Sequence, residues 1–426
     1  MKTNTLARNG FAGLAGIAIL TAALVAALPG KPPTAVPTEG PVVSAVATPA
    51  PTAAPPATPT PPAGVFSPAG SLVDGRLNAC AVLLADGRVL VAGGKRFSGD
   101  FEVSISSAEL LNSETDSFSP AGSMNDSRYE ASCTRLADGR VLVVGGETAL
   151  PDSPWHTALT SAELFDPRLR LFTRTGSLHS AHAAHAATLL ADGEVLVVGG
   201  YGADSLSTYD AEVYNPKSGT FSEVGASKTS YAFGSPGILL PDGKVYSYGF
   251  TADTDTVQGS LQGELYDPAT KTFALTAPYA VYHSQSVATA RLADGRILVV
   301  GAGGADGPLS GHAEVYDPST GAYTATGKQT MPDDNYTVAL TLPSGKVLLT
   351  AGWYEACGSG PCPIPTDDNT AELYDPATGT FTDLPATAAD RQWATVTLLA
   401  DGRVLLAGGN GNYSPSSSAE LFSERP

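Results

Sequence analysis

Leu136-Ala137-Asp138-Gly139-Arg140-Val141-Leu142-Val143-Val144-Gly145-Gly146 reads as a tight turn feeding an apolar strand that stops on two glycines, and the chain writes this phrase seven times. The turn glycine recurs at Gly87, Gly139, Gly193, Gly243, Gly295, Gly345 and Gly402, in steps of 50 to 57 residues. A second phrase, Ser161-Ala162-Glu163-Leu164-Phe165-Asp166-Pro167, follows each copy, with its glutamate at Glu109, Glu163, Glu212, Glu264, Glu314, Glu372 and Glu420. A period near fifty residues predicts a radial array of like units.

Each unit holds four strand candidates. In the third unit, strand A is Ala186-Ala187-Thr188-Leu189-Leu190, and an Asp-Gly turn joins it to strand B, Val195-Leu196-Val197-Val198. Strand C is Ala211-Glu212-Val213-Tyr214, stopped by Asn215-Pro216, because proline has no N–H to give a ladder. Strand D centres on an aromatic: Phe118, Phe172, Phe221, Phe273, Tyr323 or Phe381. No segment of the repeat region has a helical period. Seven A–B–C sets are followed by only six D strands. The seventh lies at the other end, where Phe66-Ser67-Pro68-Ala69-Gly70-Ser71-Leu72 nearly repeats Phe118-Ser119-Pro120-Ala121-Gly122-Ser123-Met124. The predicted fold is all-β: one seven-bladed β-propeller over 65–426, closed by an N-terminal outer strand that protects the sheet edges.

The run ending in a double glycine, the Tyr-Asp-Pro-like strand and the spaced aromatic resemble the kelch repeat. The Leu-x-Asp-Gly-Arg-Val-Leu-Val-x-Gly-Gly style is similar to the central propeller of the galactose oxidase family. The double glycine is altered to Gly249-Phe250, Gly301-Ala302 and Ala351-Gly352 in the fourth to sixth units. That resemblance implies a test for copper. Tyr282-His283-Ser284 resembles the family's Tyr-His-Ser motif, but His283 lies twelve residues before Gly295, outside the expected register. Cys80 and Tyr129, as a crosslinked pair, are out of register as well. No complete catalytic or copper site is legible, and no cofactor is expected.

The residues ahead of the repeats belong to other classes. Residues 1–30 carry Lys2 and Arg8 before an uncharged apolar run from Phe11 to Leu28, the pattern of a signal peptide or an N-terminal membrane anchor. Residues 31–64 are a Pro/Ala/Thr-rich linker with no apolar face, expected to be disordered and extended. The chain is therefore read as extracytoplasmic, either secreted or anchored at the cell surface. With 42 acids against 24 bases, a formal net charge of -18 argues against nucleic acid. A monomer is expected.

Antiparallel order puts the short A–B and C–D turns on one face and the variable B–C and D–A loops on the other, where function is expected. Trp155, Trp353 and Trp393 belong to the variable face, with Tyr129, Tyr201, Tyr231, Tyr282, Tyr354 and Tyr413, as stacking platforms or as covers for the loop bases. Eleven residues before the turn glycine stand Arg76, Arg128, His182 and Arg391, in neighbouring blades. They read either as a basic arc opposite Asp333 and Asp334, suited to a carboxylate ligand, or as partners of the strand-C glutamates. His179, His182 and His185 are spaced every third residue, but strand alternation would turn His182 and His185 apart, against a metal site. Cys357 and Cys362 predict a local disulfide. Cys80 and Cys133 have the opposite parity that an inter-blade bridge needs, and buried thiols fit equally. The expected function is an exported binding module for a carbohydrate or protein partner. The alternative is a carbohydrate-acting kelch enzyme, mutarotase-like or a degenerate galactose-oxidase relative.

Overall fold

The computed structural model describes residues 63–99, 101–149, 156–204, 206–231, 237–251, 261–281, 287–301, 312–329, 338–350, 369–411 and 414–425. The predicted leader and nearly all of the linker, Trp155, Trp353, Tyr282-His283, Asp333, Asp334, Cys357 and Cys362 lie outside them. The compact unit Thr60–Pro426 is all-β, with no helix among the described residues. Seven antiparallel sheets follow one another as the blades of a seven-bladed propeller.

Blade 1 is built of strands A (Cys80–Leu83), B (Val89–Ala92), C (Ser107–Asn112) and D (Ser117–Ser123). Blade 2 has Ser132–Arg135, Val141–Val144, Ala162–Asp166 and Leu171–Arg174. Blade 3 has Ala186–Leu189, Val195–Val198, Ala211–Asn215 and Thr220–Glu223. Blade 4 departs from the pattern, because two short pieces, Thr229–Tyr231 and Ile238–Leu239, share the place of strand A against Val245–Thr251. Blade 7 joins Thr395–Leu398, Val404–Ala407 and Ala419–Glu424 to Gly64–Pro68, the N-terminal strand, as the strand count predicts.

The repeated turn explains its own sequence. Gly139 N–H donates to Leu136 C=O at 3.0 Å and Leu136 N–H to Arg140 C=O at 2.8 Å. That is a three-residue hairpin loop whose last residue must be left-handed, and Gly139 has φ 89°. Asp138 then accepts from the Arg140 backbone N–H and side chain, at 3.0 and 2.7 Å. Strand B is buried along its whole length in blades 1, 2 and 3, because both faces of a blade pack on neighbours. Leu90 and Leu110 of blade 1 thus meet Val141, Val143 and Phe165 of blade 2 in one apolar cluster.

Closure uses the same packing. Phe66 of the N-terminal strand lies 5.2 Å from Phe422, ring centre to ring centre, and joins the cluster between blade 7 and blade 6, the latter built of Val338–Thr341, Val347–Thr350, Ala371–Asp375 and Thr380–Asp383. Replacing half-buried Phe66 with alanine is expected to cost about 2 kcal/mol of stability, read from urea unfolding. A loss below a few tenths would mean that the ring holds without this contact.

The B–C loops of blades 1, 2 and 7 contain ribbons that repeat periodicity alone does not announce: Lys95–Ser98 with Phe101–Ser104, Glu147–Ala149 with His156–Ala158, and Asn410–Gly411 with Ser414–Pro415. Cys80 and Cys133 are joined by a disulfide with Cα atoms 5.5 Å apart, which links strand A of blade 1 to strand A of blade 2. The parity reading is correct and the buried-thiol alternative falls. This also removes Cys80 as a crosslink partner for Tyr129.

Candidate functional site on the inner rim of the variable face

The arginine positions form an internal lattice. Arg128 Nη1 donates to Gly145 C=O at 2.6 Å and Ser161 C=O at 2.9 Å, while Nη2 meets Glu163 at 3.1 Å. Arg76 repeats this with Gly93 C=O, Ser107 C=O and Glu109, and Arg391 with Gly408 C=O, Ser418 C=O and Glu420. In blade 3 His182 takes the place, its Nδ1 2.7 Å from Gly199 C=O and its Nε2 3.9 Å from Glu212. The side chains of Arg76, Arg128 and His182 have no exposed surface, and that of Arg391 is 2% exposed. They offer no open arc to a ligand. Desolvation lowers the pKa of Arg76 and Arg128, and Glu109 and Glu163 act against that shift.

The glutamates outnumber the arginines because they have a second task. Glu163 accepts from the backbone N–H groups of Asn125 and Asp126, Glu212 from His179 and Ser180, Glu264 from Lys228 and Glu314 from Ala280. Each ties down the loop entering its blade. His182 and His185 do not turn apart, because neither lies in strand A; their rings are 6.0 Å apart. His185 Nε2 meets Ser132 Oγ at 2.8 Å, and desolvation lowers its pKa to about 3. It is a neutral, internal base.

Two positions further on, the blades form the inner rim. Nine residues before their turn glycines, Asn78, Glu130, Ala184 and Trp393 all have positive φ, between 51° and 55°. Asn78 N–H donates to Trp393 C=O, Glu130 N–H to Asn78 C=O and Ala184 N–H to Glu130 C=O, at 2.8–3.1 Å. Half-buried Trp393 stands at one end of this backbone arc. One residue earlier, Leu77, Tyr129, Ala183 and Gln392 pair with Lys95, Glu147, Tyr201 and Asn410, the residues just beyond each double glycine. The glycines permit this approach: a Cβ on Gly146 would lie 2.5 Å from Tyr129 C=O.

On this rim the ribbons of blades 1 and 2 face each other. Phe97 lies directly across its ribbon from Glu102, so their side chains share a face with Lys95. His156 lies across from Ala149, on the same face as Glu147. Ser104 joins the two ribbons, its hydroxyl 3.1 Å from Ala149 C=O. Lys95 Nζ is 2.9 Å from Glu102 and 4.7 Å above the Tyr129 ring. Tyr129 donates its hydroxyl proton to Glu147 and accepts from His156 Nδ1–H. His156 Nδ1 lies 3.7 Å from both Glu102 and Glu147. Burial pushes the Tyr129 phenol well above its ordinary pKa. Asn78 Nδ2 donates to Glu130 Oε1 at 2.7 Å, yet desolvation still pushes the Glu130 carboxyl up to about 7. Phe97 is 44% exposed.

Of the residues singled out by sequence, the rim contains Trp393, Tyr129 and Tyr201. It adds Lys95, Phe97, Glu102, Glu130, Glu147 and His156. The alternating Lys95-Arg96-Phe97-Ser98 and Phe101-Glu102-Val103-Ser104 around Gly99 was the available signal for the first ribbon. No group of three or more His, Cys, Asp or Glu among the described residues is arranged to hold a metal.

The Kelch motif matches residues 182–226. Two galactose oxidases of Gibberella zeae, one of them from strain PH-1, are 26% identical over 138 residues, covering 30% of this chain and 20% of each relative. The match therefore spans about a fifth of the length of these curated relatives. Among solved structures, a fungal alcohol oxidase of the AA5 family, in complex with copper, superposes with a TM-score of 0.63 at 18% identity, over 85% of this chain and 76% of that one. That likeness is one of fold. The repeats, the seven blades and these matches together identify the chain as a kelch propeller resembling the galactose oxidase family.

Proposed function

We propose that the protein is an exported binding module that recognises a carbohydrate on the inner rim of its variable face. One observation carries this reading: exposed Phe97 stands directly across from Glu102, on a ribbon face turned toward Glu147 and His156. An aromatic face stacks on the apolar side of a sugar ring. Carboxylates accept from hydroxyl groups, while an amide such as that of Asn78 donates to ring and hydroxyl oxygens. The buried arginine lattice leaves recognition to these ribbons.

A glycan array probed with the full chain tests the reading. Binding to at least one carbohydrate class is expected, weakened about tenfold or more by Phe97→Ala and by Trp393→Ala. A blank array, or binding unmoved by Phe97→Ala, would exclude carbohydrate recognition at this rim.

A further inference from the structure

The charges at the rim narrow the class of sugar. Three carboxylates, Glu102, Glu130 and Glu147, face one lysine and one histidine across the two ribbons and the blade-2 entry. Lys95 is committed to Glu102 at 2.9 Å, and the Tyr129 ring lies beneath it. Glu147 is held by the Tyr129 hydroxyl, a neutral donor. Glu130 is held by the Asn78 amide, also neutral. With a single lysine paired to Glu102, and His156 3.7 Å from Glu102 and Glu147, the three carboxylates outnumber the basic groups at the rim. The arginines that would have favoured an acidic ligand are buried in the lattice, and the chain as a whole carries a net charge of -18. An anionic glycan would be repelled.

We infer that the rim takes an aminated sugar, with its free ammonium between Glu130 and Glu147 and its ring against Phe97. This rests on the carbohydrate reading above. A primary ammonium supplies three donors for these carboxylates, and an adjacent hydroxyl one for Glu102. An oligolysine would meet the same charge. A sugar is favoured because the exposed aromatic lies beside the carboxylates, on the same ribbon face as Glu102.

Binding is coupled to protons in a defined direction. At neutral pH the Glu130 carboxyl is partly protonated, since burial, Glu147 and Glu102 raise its pKa, against the opposing effects of Lys95 and Asn78. A bound ammonium stabilises the carboxylate, so the pKa falls and a proton is released. Affinity for the ammonium form of the sugar therefore rises as pH increases through about 7.

The test uses the full chain and four probes in calorimetry: an oligo-glucosamine, its N-acetylated counterpart, a hexuronate oligomer and an oligolysine. The expected order is oligo-glucosamine about tenfold tighter than the N-acetylated form, with the hexuronate weakest. Heats measured at pH 7 in buffers of different ionisation enthalpy report the net proton change, to which the sugar amine, itself titrating near neutrality, contributes uptake; the parent should release more protons, or take up fewer, than Glu130→Gln. In Glu147→Gln and Glu130→Gln, which keep an acceptor for Tyr129 and Asn78, the preference should fall to about twofold or less with an unchanged melting temperature. Identical proton changes in the parent and in Glu130→Gln would overturn this coupling. Equal binding of the aminated and N-acetylated probes overturns the inference and leaves carbohydrate recognition standing. Binding of oligolysine with none of the glycans overturns both.

Discussion

Arg128→Ala lowers the stability of the propeller by about 3–5 kcal/mol, because it leaves Glu163 charged and buried with its cation gone. The guanidinium also holds two backbone carbonyls, Gly145 C=O and Ser161 C=O, which lose their side-chain donor. Urea unfolding of the variant, compared with the parent, measures the effect. Pairing Arg128→Met with Glu163→Leu should not restore stability, since Glu163 also receives the backbone N–H groups of Asn125 and Asp126. A loss under about 1 kcal/mol in the single variant would mean that water replaces the guanidinium at little cost. In that case the lattice would not be what holds strand C to the loop before strand A of the same blade.

Severing the Cys80–Cys133 bridge is the second large effect. The cysteines are 53 residues apart in sequence, and closing a loop of that length removes about 4 kcal/mol of chain entropy from the unfolded state. The Cys80→Ser/Cys133→Ser variant should lose stability of that order by scanning calorimetry. Reductant should destabilise the parent much more than this variant, which separates the bridge from the Cys357/Cys362 pair. Equal responses to reductant would place the stabilising bridge elsewhere. The bond joins the two blades that carry both facing ribbons, so its loss should also weaken ligand binding through looser spacing of Glu102 and Glu147.

What could be read from the sequence follows from what repeats. Gly139, the strand-B apolar run and Phe172 recur in register, and periodicity carries them directly to blades; the displaced Phe66 strand then fixes the closure. The role of Arg128 was legible only as two alternatives, because residue type does not say whether a guanidinium faces solvent or a carbonyl. The choice depends on how closely the Gly145 carbonyl approaches Arg128 in the loop entering blade 2, a tertiary distance. The rim was harder still. Lys95 and Glu147 occupy equivalent positions in two blades, yet Glu102 and His156 come from loops of different length and sequence. Only their shared ribbon geometry brings them onto facing surfaces. Glu130 carried no sequence signal as a perturbed acid, since its environment is assembled from two blades.

The closing strand has a mechanical consequence. Gly64 pairs with Glu424 at the end of blade 7 that carries the short turns, and Pro68 pairs with Glu420 toward the variable face. A pull on the chain ahead of Gly64, resisted by a ligand gripped on the rim, is directed along the strand. The rungs between Gly64 and Pro68 then share the load in shear instead of parting one after another. A strand that closes a ring is in this arrangement also a force-bearing clamp, strongest when tension runs between its own leading segment and the opposite face.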